Sequence, residues 1–341
     1  MAQQSNSDSS RLMQDWGVYT PRELKERCRD FGSDDLIEGL LPNRSLSLLV
    51  GDSGLGKSAL MYQMGLCVAA GVDFLGRKTQ KGGVLIMDYE NGLRQVDELI
   101  ASLARHLGLS EVPDDLLIWN YNDCHPQFGQ VGQTATDLIR AVRPTLTIID
   151  SITGLKPEIE EKNSEATKVY QSLRTIMREC GSSFLASHHR KKISDNGFST
   201  PPSLENGNIR SWFVQARGAG ALINSSDVRL AIDEPKSQRG NNNDPALVIR
   251  GFSRVRGEIP STYLARVRDD DGEPLGYERL SGASLLFNAE QAETFSKLPA
   301  QFRFKNAQMV YGKGAQATTD FLNKCINVGL IRKTERGYEK L

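Results

Sequence analysis

Residues 45–58 read Ser-Leu-Ser-Leu-Leu-Val-Gly-Asp-Ser-Gly-Leu-Gly-Lys-Ser. The first six are a short apolar run ending in glycine, the pattern of a strand buried on both faces of a parallel sheet. The next eight, Gly51, Asp52, Ser53, Gly54, Leu55, Gly56, Lys57 and Ser58, satisfy G-x-x-x-x-G-K-[ST] in full. Glycines at this spacing let successive backbone N–H groups curl around a polyphosphate, and a helix N-terminus adds a favourable dipole. Ala59–Ala70 supplies that helix, and Gly71 stops it. Lys57 is placed to reach the β- and γ-phosphates, and the Ser58 hydroxyl to ligate Mg²⁺. With strand before and helix after, the stretch predicts a nucleoside triphosphate site, with ATP and Mg²⁺ as the expected ligands.

Downstream, strand and helix patterns alternate. Val84–Tyr89, Leu116–Asn120, Leu146–Asp150 and Ser183–Ser187 read as strands, and Leu93–Leu107, Thr136–Val142 and Ser164–Cys180 as helices. Such alternation predicts an α/β fold, a parallel sheet flanked by helices on both faces. Residues 190–216 are polar and loop-like, and strands are expected at Val228–Ile232 and Ala246–Arg256. The expected organisation is a tail over 1–15, an ATPase domain over 16–268, a linker over 269–284 and a small domain over 285–341.

In a parallel sheet the C-terminal strand ends face the ligand crevice. Asp150, ending LTIID in the manner of a Walker B strand, is therefore the candidate to hold the metal. Its bland alternative is a turn cap. Ser151 follows it, so the base must come from elsewhere. Glu90, just after VLIMDY, can orient and deprotonate the attacking water. Asp88, on the same strand face, competes for that role.

Three stretches, LIEGLLPNRSLSLLVGDSGLGKS, FLGRKTQKGGVLIMDYENG and RPTLTIIDSITGL, resemble the RecA-fold ATPases related to the plasmid replicative helicase RepA, a grouping also called AAA_25. DnaB-type hexameric helicases are more distant relatives. The resemblance covers roughly residues 36–260. It implies a RecA-like core, Glu90 as catalytic base, and a ring, usually a hexamer, with ATP sites between subunits. It also implies a polar residue, often His, near the γ-phosphate after the strand Ser183–Ser187, here His188 or His189. Arg190, Lys191 and Lys192 would then open a loop facing nucleic acid, where basic groups can hold a backbone. Arg254-Val255-Arg256-Gly257 resembles the Lys-x-Arg segment of replicative helicases, whose arginine enters the neighbour's ATP site. This makes Arg254 and Arg256 candidates for stabilising the transferring phosphoryl group in trans, with Arg217 and Arg229 as substitutes.

Residues 301–341 look like a winged helix, with a second helix in the recognition position and a hairpin turning at Arg336-Gly337. This stretch carries eight Lys/Arg and three acids. Gln316, Thr318 and Thr319 near the second helix's start, and Lys333 and Arg336 on the wing, are the candidate nucleic-acid contacts. A winged helix used for protein contacts is the alternative.

The whole 341-residue chain is charge-neutral, with 42 basic and 42 acidic residues, so no global field draws it to DNA or an anionic membrane. No apolar run approaches the ~20 residues of a spanning helix, and the N-terminus lacks the pattern of a secretion signal. Five scattered cysteines without a C-x-x-C pair point to free thiols in a reducing cytoplasm rather than a zinc or disulfide scaffold. The expectation is a cytoplasmic ATP-hydrolysing ring that acts on nucleic acid, single-stranded DNA first, as a plasmid- or phage-type helicase or translocase alongside other replication proteins. The alternatives are an ATP-gated loader or regulator on DNA and a nucleotide-dependent protein-binding switch.

Overall fold

A computed structural model describes residues 17–29, 35–123, 133–190, 204, 208–216, 218, 220–235, 247–280, 289–327 and 330–340. The chain starts with α1 (Pro21–Arg29) and the two-stranded β1 (Asp35–Ile37) and β2 (Leu41–Pro42). There follow β3 (Leu46–Gly51), α2 (Lys57–Ala70), β4 (Val84–Asp88), α3 (Leu93–His106), β5 (Leu116–Asn120), α4 (Gln133–Val142) and β6 (Leu146–Asp150). Next come α5 (Ile152–Leu155), α6 (Asn163–Cys180), β7 (Ser183–His189), α7 (Ile209–Trp212), α8 (Gly220–Ser225) and β8 (Val228–Asp233). Antiparallel β9 (Leu247–Ser253), β10 (Gly257–Arg268) and β11 (Pro274–Arg279) complete a nine-stranded sheet of order β11-β10-β9-β8-β3-β7-β6-β4-β5. The strands β3 to β8 run parallel. The α/β class and the parallel sheet between helical layers hold.

β3 is buried along its whole length because it is hydrogen-bonded to β7 on one side and β8 on the other, with helices over both faces. Alternate β3 residues feed two cores, Leu49 into one and Leu48 and Val50 into the other. The α2 helix is buried almost all round, so it shows no amphipathic stripe. In contrast, α3 is a surface helix whose Val96, Ile100, Leu103 and Ala104 form one buried face.

Two boundaries differ from expectation. The strand expected over Ala246–Arg256 ends at Ser253; residues 254–256 form a turn, and Gly257, at φ +82°, starts β10. The stretch 269–284, expected to be a linker, contains β11, paired with β10 from Leu264↔Arg279 to Arg268↔Pro274. Its acidic run is a hairpin turn: the Asp269 carboxylate accepts the N–H groups of Asp271 (3.2 Å) and Glu273 (2.8 Å). Asp-Gly clusters serve hairpins and linkers alike, so composition alone misplaced the domain edge. The tail, 1–15, lies outside the described residues.

The C-terminal unit comprises α9 (Ala289–Lys297), β12 (Gln301–Phe302), α10 (Phe304–Tyr311), α11 (Ala315–Asn327), β13 (Ile331–Thr334) and β14 (Gly337–Lys340). Its strands form a separate sheet of order β12-β14-β13. Leu298, Phe302, Ala307, Phe321, Leu322 and Ile331 belong to its own core. Among the described residues no helix is long and apolar enough to cross a membrane.

Candidate active site

The register of the sheet assembles the site. Gly51, the last residue of β3, pairs with His189 at the end of β7, and Asp88 at the end of β4 pairs with Asp150 at the end of β6. The Gly51–Ser58 loop leaves β3 at this rim and turns into α2 through Gly54 and Gly56, at φ +80° and +85°. That left-handed backbone is the reason for glycine at both positions. Lys57 is buried, and its Nζ donates to the carbonyls of Asp52 (2.8 Å) and Gly51 (3.2 Å). Burial lowers its pKa, opposed by the nearby charges of Asp150, Glu90 and Asp52.

Asp150 is 1% exposed. Its Oδ1 accepts the Ser187 hydroxyl at 2.6 Å, whereas its Oδ2 is buried with no hydrogen-bond partner. Burial raises its pKa, and the hydroxyls of Ser187 and Ser58 oppose that rise. An orphaned buried carboxylate oxygen beside a serine hydroxyl fits a hard divalent cation, which takes oxygen ligands. Ser58 and Asp150 are thus the residues that would hold Mg²⁺.

Asp88, which ends β4, and Glu90, two residues on, are held differently. Asp88 is wholly buried; its Oδ1 accepts the N–H groups of Glu90 and Asn91, each at 2.8 Å. Its Oδ2 accepts the Asn91 amide at 2.8 Å and the Tyr62 hydroxyl. With its lone pairs engaged, Asp88 fixes the turn that presents Glu90. The Glu90 side chain is 41% exposed, and its Oε1 lies 3.5 Å from His189 Nε2. His189, then Ser151 and Lys57, pull the Glu90 carboxyl down to about 2 against the opposing effect of burial.

His189 also approaches the phosphate loop, its Nδ1 3.4 Å from Ser53 Oγ. The neighbouring His188 is fully buried, so of the two histidines left open it is His189 that faces the site. Because β7 runs to His189, strand alternation puts Ser187 and His189 on one face. That was a readable signal for Ser187, which the sequence reading passed over.

Arg190 corrects an expectation. It does not open onto solvent as a nucleic-acid contact: its side chain is 6% exposed and ion-paired with Asp52 in the phosphate loop and, at 3.2 Å, with Asp233 at the end of β8. Its guanidinium lies 5.9 Å from the Trp212 ring centroid. Lys191, Lys192 and Arg217 lie outside the described residues. Thr318 is a second correction: it is fully buried, and its hydroxyl bonds back at 3.1 Å to the carbonyl of Gly314, the residue before α11. Lys333 and Arg336 are exposed on the β13–β14 hairpin, and Gln316 and Thr319 are exposed on α11.

Arg254 and Arg256 are not brought to this chain's phosphate loop. They occupy the β9–β10 turn beside Val228, the first residue of β8, at the opposite end of the parallel strands. Arg254 donates to the Asn224 carbonyl and Arg256 to the Asp35 carboxylate. Arg229, on β8, has its pKa lowered by burial and then by the neighbouring Arg254 and Arg210.

A protein-family model described as an AAA domain matches residues 27–195. Among solved structures, a KaiC-like protein from the hyperthermophilic archaeon Pyrococcus horikoshii is similar at 17% identity and a TM-score of 0.43. The match covers 73% of this chain and 95% of that one. No curated protein matches the chain.

Proposed function

We propose that this chain is a RecA-like P-loop ATPase that hydrolyses ATP with Mg²⁺ in a ring-forming assembly that acts on nucleic acid, as a helicase or translocase, a reading that the match of residues 27–195 to an AAA-domain model supports. The observation that carries the hydrolytic part is the convergence of Lys57, Ser58, Asp150, Glu90 and His189 at one rim of the sheet. Lys57 and the loop N–H groups bind and orient the triphosphate, and Glu90 orients the attacking water. Ser58 and Asp150 would hold Mg²⁺, whose chemistry there would be neutralisation of the charge that develops on the transferring group. His189, within reach of both Ser53 and Glu90, is the group that loses a partner when the γ-phosphate departs.

Two observations support the larger assembly. Arg254 and Arg256 lie at the far end of the sheet from their own phosphate loop, so any γ-phosphate they meet belongs to a neighbouring subunit. The C-terminal unit orders a helix, a short strand, two helices and a hairpin, with Lys333 and Arg336 exposed on the hairpin, which supports the winged-helix reading. A nucleotide-dependent switch is the second reading. It is favoured by the internal engagement of Arg190 and Thr318, which removes two of the expected nucleic-acid contacts.

ATP turnover with and without single-stranded DNA, on wild type and Glu90→Gln, with oligomeric mass read in the same samples, separates the two. A motor gives DNA-stimulated turnover that Glu90→Gln abolishes while rings persist. Turnover indifferent to DNA moves the weight to the switch.

A further inference from the structure

The edge of the sheet farthest along the chain folds back onto the phosphate loop. Tyr277 on β11 is 3% exposed; its hydroxyl donates to the Gly56 carbonyl at 3.1 Å, with the Leu55 carbonyl 3.4 Å away. Its cross-strand partner Arg266, on β10, donates through Nη2 to that same Leu55 carbonyl at 3.0 Å. The contact is close: a Cβ added at Gly56 would lie 1.9 Å from the Tyr277 hydroxyl.

The strand that carries Tyr277 is itself tied to the helix that follows the loop. The Gln63 amide of α2 accepts the Tyr277 N–H at 2.9 Å and donates to the Tyr277 carbonyl at 2.8 Å. The His106 ring of α3 lies 3.0 Å from that carbonyl. Both polar groups of the Tyr277 backbone are therefore satisfied by the layer that includes the phosphate-loop helix.

The consequence follows from peptide geometry. In a planar trans peptide the C=O and the following N–H point in opposite directions. Holding the Leu55 carbonyl outward turns the Gly56 N–H inward, and holding the Gly56 carbonyl, which Tyr277 shares with the Leu60 N–H of α2 at 3.1 Å, does the same for the Lys57 N–H. These are the donors with which such a loop grips a polyphosphate. We propose that Tyr277 and Arg266 are positioning residues for the triphosphate: they aim the loop's N–H donors by fixing the carbonyls behind them. This rests on the ATPase reading above and adds to it a control point outside the motif, on the strand from which the chain leaves the sheet toward its C-terminal unit.

The test uses the full chain with ATP and, separately, inorganic tripolyphosphate as probes. Tyr277→Phe keeps the ring and removes the hydroxyl; Arg266→Gln, at a partly exposed position, serves as a second variant should the first not fold. Each is expected to weaken ATP and tripolyphosphate binding by the same factor, about five- to tenfold for one lost hydrogen bond, while kcat at saturating ATP falls less than twofold. A merely structural role would lower the melting temperature and leave both dissociation constants unchanged in the folded protein. Wild-type binding of both probes with either folded variant within twofold of it overturns the assignment. A wild type that binds neither probe overturns the ATPase reading instead, and this proposal with it.

Discussion

The His189 imidazole lies 3.5 Å from the Glu90 carboxylate and 3.4 Å from the Ser53 hydroxyl, and so stands between the phosphate loop and the acid that would address water. Its nearness is the largest cause of the depressed Glu90 pKa of about 2. In the proposed reaction a carboxyl held this low would orient water more than hold its proton, since general-base catalysis favours a pKa near the working pH.

His189→Ala is expected to bring the Glu90 carboxyl up from about 2 toward its ordinary 4.5. The sign of the stability effect follows. A carboxylate with a folded-state pKa below its unfolded value stabilises the fold above the unfolded pKa, and that contribution fades as pH falls through the folded one. The wild-type contribution is therefore present above about pH 4.5 and lost toward pH 2, and in His189→Ala it is largely gone. Titrating the Glu90 side-chain carbon by NMR in both proteins checks this; an unchanged midpoint would mean that His189 does not govern Glu90.

Asp88 is expected to act on turnover without touching nucleotide. In Asp88→Asn the amide nitrogen meets the donors from Tyr62 and Asn91 that the carboxylate accepted. The turn carrying Glu90 keeps its backbone N–H bonds to the remaining oxygen but loses the tie to the Asn91 side chain, at a cost of about 1–3 kcal/mol for a buried donor left unpaired. The expected result is kcat down by about tenfold or more with ATP affinity nearly unchanged, read from steady-state kinetics beside equilibrium binding. Weakened ATP binding at full kcat would place Asp88 in a different role.

Arg190 joins the phosphate loop to the end of β8 through Asp52 and Asp233. Arg190→Ala leaves Asp233, 6% exposed at its side chain, as a buried charge without this partner. Breaking such a buried pair costs about 3–5 kcal/mol. Arg190→Lys should rescue little, because a single ammonium lacks the planar fork that spans two carboxylates. Chemical denaturation of the three proteins reads this out, and wild-type stability in Arg190→Ala would show the pairs to be incidental.

The fold's centre was legible because its signals are local. The apolar run before Gly51, the glycine spacing and the stop at Gly71 each report a backbone demand within a few residues. The positions of Asp150 and Glu90 followed from one rule about strand ends. What escaped depended on partners far along the chain. His188-His189-Arg190-Lys191-Lys192 reads as a solvated basic start to a loop, and nothing within it announces that Arg190 will meet Asp52, 138 residues earlier, and Asp233, 43 later. Thr318 was misread for a related reason: which side of α11 faces the small core is set by Phe321, Leu322 and Cys325 together with residues of other elements. Tyr277 stood inside a stretch whose Asp and Gly content suggested a linker, and only its burial under the phosphate loop shows its use.

The burial of β3 bears on how the phosphate loop is held in time as well as in space. A strand paired on both edges and covered on both faces exchanges its amide hydrogens only when the sheet around it opens, so its protection should approach that of global unfolding. The paired amides of β3 should therefore be among the slowest to take up deuterium, and those of β5, an edge strand among the described residues and with Leu117 and Ile118 exposed, much faster. The loop proposed to grip the nucleotide thus departs from what should be one of the most protected strands of the sheet, while the far edge of the same sheet is expected to open more readily.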